Sequence, residues 1–158
     1  MKAKEGVVDV LTAALSAHLM AINRYFVQAR LCQHWGYERL CGKLRERSIQ
    51  RMRVADTLIG HILYLESVPK VRHTGNVQVG ETVGEQLKND LKAEQDLLAL
   101  LRDGVRHCAN AADFTTRHLL EGMAKDVDAQ IAWIETQLET IEQVGVERYL
   151  AGQIRDGR

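Results

Sequence analysis

The chain has 158 residues, with 21 Lys and Arg against 21 Asp and Glu, so its formal net charge is zero. That balance speaks against a nucleic-acid binder, which carries a basic excess, and the 46% apolar content speaks against a disordered tail. One domain over 1–158, burying roughly 70% of its unfolded surface, is expected; the single proline and few aromatics among many Leu, Ala, Glu and Arg favour helices over a sandwich or barrel.

Apolar stripes whose steps alternate three and four mark four long helices. The first, about 6–34, carries Val8, Leu11, Leu15, His18, Ile22, Tyr25 and Ala29, and His34-Trp35-Gly36 ends it. Gly36 suits the left-handed position that closes a helix. The second, about 38–65, carries Leu44, Arg47, Arg51, Val54, Leu58, His61 and Leu65. So short a link makes the pair an αα-hairpin.

Residues 66–82 contain Pro69, Gly75 and Gly80 and show no helical period. A link of this length inside a compact domain needs a reason. Extended, it reaches on the order of 50 Å, whereas a helix of about 28 residues is about 42 Å long. It can therefore run the length of a bundle and let the second and third helices lie parallel, as in one-crossover ferritin-like topologies.

Thr82-Val83-Gly84-Glu85 reads as a capping box opening the third helix, about 83–110, with Leu87, Leu91, Glu94, Leu98, Leu101, Val105 and Cys108 in line. The fourth, about 114–144, carries Leu120, Met123, Val127, Gln130, Ile134, Gln137 and Ile141, and Gly145 ends it. A short amphipathic piece, about 146–154, puts Tyr149, Leu150 and Ile154 on one side. The expected fold is all-α: a four-helix bundle with a long crossover loop and a short fifth helix.

No secretory-type apolar run opens the chain, and charges interrupt the stretches long enough to span a bilayer, so a soluble cytoplasmic protein without membrane or nucleic-acid partners is expected. Cys32, Cys41 and Cys108 are odd in number and at no zinc-finger spacing, which suits reduced, buried thiols. Because Cys32 and Cys41 bracket a turn holding His34, a metal site there is the weaker alternative.

Each long stripe has a polar interruption near its middle: His18, Arg51, Glu94 and Gln130. Iron-oxidising ferritin-like bundles place a Glu on each of two helices and Glu-x-x-His on each of the other two. That spacing puts carboxylate and imidazole on one helix face, a donor set that suits iron. Glu-x-x-His occurs nowhere in this chain, and Val54 and Val127 stand at the partner positions. Arg51 is permanently cationic and takes the place of a ligand. A core polar network is the favoured reading. Arg51 is expected to pair with Glu94, helped by His18 and Gln130, because an isolated buried charge is costly.

Beside the core stripe, the second helix carries Ile49, Met52, Ala55, Ile59 and Leu63, and the first carries Leu19, Ile22, Asn23 and Phe26. Such a band on an outer hairpin marks a subunit interface. Met52 either packs there or ligates haem iron axially, and periodicity does not choose between these.

Through AINRYFVQAR (21–30), WGYERL (35–40), ADTLIGHILYLESVP (55–69) and WIETQLETIEQVGVERYLAGQI (133–154), the chain resembles bacterioferritin from Val7 to Ile154 without insertions. The resemblance places the family's ferroxidase ligand positions at His18, Arg51, Val54, Glu94, Val127 and Gln130, where only Glu94 keeps the expected residue type, so no intact di-iron site is implied. Tyr25 and Trp133 near that centre are retained, while the family's inner-surface iron site is also altered, with Glu46 and Gln50 where the family often has His and Asp. It also implies haem b shared between two subunits, with Met52 as axial ligand and Leu19, Ile22, Asn23, Phe26, Ile49 and Asp56 as its pocket. Arg45 and Arg53 are its candidates near the propionates, where positive charge suits a carboxylate, the alternative being two solvated residues on a helix surface.

At the level of assembly, the resemblance implies a 24-subunit cage around an iron mineral, mixed with a ferroxidase-competent bacterioferritin subunit. This chain would relay electrons through haem from a bacterioferritin-associated ferredoxin-type donor for iron release. Two other readings stand beside it: a ferroxidase with an unorthodox iron site, and a structural shell subunit without haem.

Overall fold

The computed structural model describes residues 1–71 and 76–155. Gly75 of the expected crossover and the last three residues of the expected domain lie outside them. Among the described residues five helices occur in order: α1 (Val7–His34), α2 (Glu38–Tyr64), α3 (Val83–Asn110), α4 (Phe114–Val144) and α5 (Val146–Ala151).

The helix ends reflect local hydrogen bonding. Gly36, at φ +90°, closes α1 as Tyr37 N–H donates to the Cys32 carbonyl at 2.8 Å. The same closure ends α2 and α3 without glycine, at Glu66 and Ala112, both at φ 58°. There Ser67 N–H reaches the Ile62 carbonyl at 3.2 Å and Asp113 N–H the Cys108 carbonyl at 2.9 Å. Thr82 caps α3 by accepting from Glu85 N–H at 3.1 Å, while the Glu85 carboxylate accepts from Glu81 N–H rather than from Thr82. The capping box is thus displaced by one residue at its return bond. The fifth helix is shorter than expected: Gly152 N–H turns back to the Arg148 and Tyr149 carbonyls, and the Gln153 carbonyl accepts from Arg39 N–H at 3.0 Å. Ile154 therefore lies exposed while Tyr149 is buried.

Cross-helix contacts establish the directions. The start of α1 meets the end of α2 where the Met1 amine donates to the Tyr64 carbonyl, and Ser48 donates to the Ile22 carbonyl. Against α3, Cys32 meets Gln86, Arg24 meets Asp90, and His107 meets the Glu5 carbonyl. Both neighbours of α1 run antiparallel to it, so α2 and α3 are parallel. The link between them must therefore cross the bundle lengthwise. Gln28 holds its far end by donating to the Val79 carbonyl at 2.8 Å. A side chain at Gly80, which has φ +98°, would lie 2.7 Å from the Gln86 nitrogen, so this seat against the first turn of α3 requires glycine.

The core has two apolar parts. One contains Leu11, Leu15, Leu58, Ile62, Leu101 and Leu120, and the other Cys32, Leu40, Leu44, Leu87, Ile134 and Tyr149. Between them lies a buried polar belt of His18, Arg24, Gln28, Arg51, Asp90, Glu94 and Gln130. By length and composition α1 is apolar enough to cross a membrane, although Arg24 interrupts every 18-residue window of it. Half of the most apolar such window is buried in the bundle. Its apolar excess has two faces to cover, the core and the strip with Leu19, Ile22 and Phe26.

Candidate functional site: a buried charge belt beneath an exposed apolar band

At mid-height, α2 and α3 bring Arg51 and Glu94 together, with Nη2 2.7 Å from Oε2. The other carboxylate oxygen of Glu94 accepts from the Tyr25 hydroxyl at 2.7 Å and faces Arg24 Nη2 at 3.5 Å. Arg24 Nε donates to Asp90 Oδ1 at 2.9 Å, and Gln28 Nε2 donates to the same oxygen at 2.8 Å. Two guanidiniums therefore face two carboxylates, and the positive side chains balance the negative ones. Pairing of this kind is what permits four charged groups to lie out of water.

Tyr25 ties the belt together. The Arg24 guanidinium carbon sits 4.8 Å from its ring centroid and that of Arg51 5.9 Å, both within cation–π range. Burial, then the Glu94 charge, pushes its hydroxyl far above the ordinary phenol range. It therefore stays protonated and donates to Glu94. Having spent its one proton there, Tyr25 can only accept from Gln130 Nε2, 3.3 Å away.

The expected pairing of Arg51 with Glu94 is present, but two helpers act differently than expected. His18 hydrogen-bonds the Ala14 carbonyl at 2.7 Å, so its Nδ1 carries the proton and the ring is turned onto its own helix. Burial lowers its pKa to about 4, with the Arg51 charge acting in the same direction. Gln130 reaches Glu94 only through Tyr25. Sequence reasoning missed Arg24, Gln28 and Asp90. Their signal was present as polar residues one turn apart, Arg24 to Gln28 and Asp90 to Glu94, on the flank of each stripe. Burial raises the Asp90 pKa to about 6, against the opposing effects of Arg24 and Gln28.

Among the described residues no three His, Cys, Asp or Glu gather as a set able to hold a metal ion. Val127 is buried and Val54 half-buried, and both contribute to the apolar core. Trp133 lines a cleft between α2 and α4 with Lys43, Glu46, Arg47 and Gln130. Gln50 accepts from Arg47 Nη1 and from Arg51 Nε, each at 3.3 Å. Cys32, Cys41 and Cys108 are free and buried. Cys32 donates to Gln86 Oε1 at 3.3 Å, and burial pushes its thiol up to about 12, while His34 points to solvent.

The outer face of the α1–α2 hairpin is different. Met52 is 56% exposed, Phe26 61% and Ile49 45%, with Leu63 exposed beyond them. Leu19, Ile22 and Ile59 are half-buried at its margin, and Ala55 lies buried beneath it. Asn23, Arg45, Arg53 and Asp56 are exposed around it. The four-helix fold thus leaves a continuous apolar band with a free thioether near its centre.

The ferritin-like domain family matches residues 8–144. The Bacterioferritin of Brucella melitensis is 36% identical over 149 residues, covering 94% of this chain and 92% of that protein. The chain belongs to the bacterioferritin family. The Bacterioferritin of Mycobacterium tuberculosis is 34% identical over 151 residues, covering 96% and 95%. The Bacterial ferritin of Pseudomonas aeruginosa is 34% identical over 155 residues, covering 98% and 100%. Because matches run the whole length of the bundle, the belt and band of this bacterioferritin-family chain are built on the shared helices rather than on an insertion.

Proposed function

We propose that this member of an iron-storage family binds haem b across a two-fold contact between two copies and relays electrons through it to ferric mineral for iron release. Its own di-iron ferroxidase centre is lost. The supporting observation is the contrast between two levels of the hairpin: buried Arg51 is paired with Glu94 in the bundle, while Met52 stands free on the apolar band.

The band suits a flat apolar group with anionic edges. Met52 offers a thioether, which ligates haem iron, and Phe26, Ile49, Leu19 and Ile22 offer apolar walls. Arg45 and Arg53 supply charge for propionates, with Asn23 and Asp56 completing the rim. Bound there, haem supplies one-electron transfer. Covering the band with a second copy would bury surface that a lone bundle leaves wet.

The belt does not suit two irons. His18, Arg51, Val54, Glu94, Val127 and Gln130 offer one carboxylate among them, and Arg24 and Arg51 already compensate Glu94 and Asp90. Adding cations to a balanced, desolvated site is unfavourable. The chain, acting as one domain over 1–158, thus works in a cytoplasmic 24-subunit cage mixed with a ferroxidase-competent subunit. A ferredoxin-type protein is its electron donor.

Ferrous iron followed by oxygen, given to assemblies of this chain alone, should oxidise no faster than in buffer, while haem-replete preparations carry a haem spectrum. Rapid stoichiometric oxidation would favour the unorthodox ferroxidase, and a colourless preparation the structural shell.

A further inference from the structure

We propose that the cleft between α2 and α4 binds a protonated tetrahedral oxyanion, with hydrogenphosphate as the ligand of matching chemistry. The cavity has a volume of about 240 Å³ and is lined by Lys43, Glu46, Arg47, Gln130 and Trp133. Lys43 and Arg47 are one turn apart on the same face of α2. Among the described residues neither forms an ion pair, although Glu46 lines the same cavity. Arg47 gives one N–H to the neutral Gln50 amide, at 3.3 Å, which leaves its charge uncompensated.

A built polar group points to the ligand. Gln130 is 3% exposed and lines the cavity. Tyr25, which donates to Glu94, fixes the amide orientation by accepting from Gln130 Nε2. No described residue donates to the Gln130 carbonyl oxygen. The cleft thus presents two cationic donors, one deep carbonyl acceptor and one carboxylate. An anion that also carries a hydroxyl satisfies all of them: its oxygens accept from Lys43 and Arg47, and its P–OH donates to Gln130 or Glu46. Arg51, one turn beyond Arg47 and 1% exposed, is held by Glu94 and does not line the cavity. A fully deprotonated oxyanion such as sulfate meets the same cations but leaves the carbonyl unpaired and faces the Glu46 charge. The cleft should therefore select hydrogenphosphate.

Inorganic phosphate titrated into the purified full-length protein near neutral pH, followed calorimetrically and by 31P line broadening, should bind saturably and more tightly than sulfate. Lys43→Gln and Arg47→Gln should each weaken binding roughly tenfold. Arg102→Gln, on the exposed face of α3, should leave it unchanged. Gln130→Leu should erase the preference over sulfate, and if that variant fails to fold, the Lys43 and Arg47 variants still decide. Absence of saturable binding, equal affinity for sulfate, or binding insensitive to both α2 substitutions overturns the proposal.

Discussion

Arg51 Nη2 lies 2.7 Å from Glu94 Oε2, with the two side chains 1% and 0% exposed. Glu94 also receives Tyr25 and faces Arg24, so this one carboxylate stands between two buried guanidiniums. Glu94→Gln should therefore destabilise the fold by about 3 to 5 kcal/mol, the range for removing one partner of a buried pair. Denaturant unfolding measures it. An unchanged midpoint would show that the pairing of Arg51 with Glu94 does not stabilise the fold.

Two groups of the belt have pKa shifts that affect stability in opposite senses. His18 has a folded pKa of about 4, below its ordinary 6.5. The unfolded chain therefore binds the proton more readily between those values. His18 thus contributes stability that is present above pH 6.5 and lost as the pH falls towards 4. Asp90 has a folded pKa of about 6, above its ordinary 3.8. Its contribution is present below pH 3.8 and lost as the pH rises through 6. The intact protein should show a shallow stability profile from pH 4 to 6. In His18→Gln stability should decline with rising pH, and in Asp90→Asn it should increase. Each single slope is on the order of 3 kcal/mol across the window. Parallel profiles for all three proteins would contradict these shifts.

Met52 contributes no core packing, since its side chain stands on the exposed band. Met52→Leu should leave the unfolding midpoint of the haem-free protein within about 0.5 kcal/mol of the parent. In haem-replete preparations the same change should abolish the reduced haem spectrum. Retention of the spectrum would remove Met52 from the role of axial ligand.

Gly104 lies in the interior of α3 and faces Val10 of α1 and Leu120 of α4. A methyl group there would sit 2.6 Å from Val10 Cγ1 and 3.1 Å from Leu120 Cδ1. Alanine has the better helix propensity, yet Gly104→Ala should cost about 1 to 3 kcal/mol through overpacking. Thermal unfolding checks the sign. Stabilisation would mean that Val10 swings aside without loss.

Periodicity and the cost of burying charge were sufficient to place the four long helices, the lengthwise crossover and the pairing of Arg51 with Glu94. A 3.6-residue repeat reports which direction along each helix is buried, and an arginine and a glutamate in that direction must meet or leave charges unpaired. The resemblance in sequence was enough for the family, since its matching segments span the bundle. Only the tertiary structure decided the membership of the belt. Arg24, Gln28 and Asp90 lie off the stripe centres, and they are buried because α1 takes α3 as its second neighbour, a choice that no single-helix period encodes. The tertiary structure also turned His18 onto the Ala14 carbonyl, since a ring beside Arg51 is better placed neutral and satisfied by its own backbone. It likewise opened the cleft at Lys43, Arg47 and Gln130, whose shape depends on the distance between α2 and α4. One helix's sequence specifies which face is inward; the neighbour that meets that face, and the rotamers that result, are properties of the packed bundle.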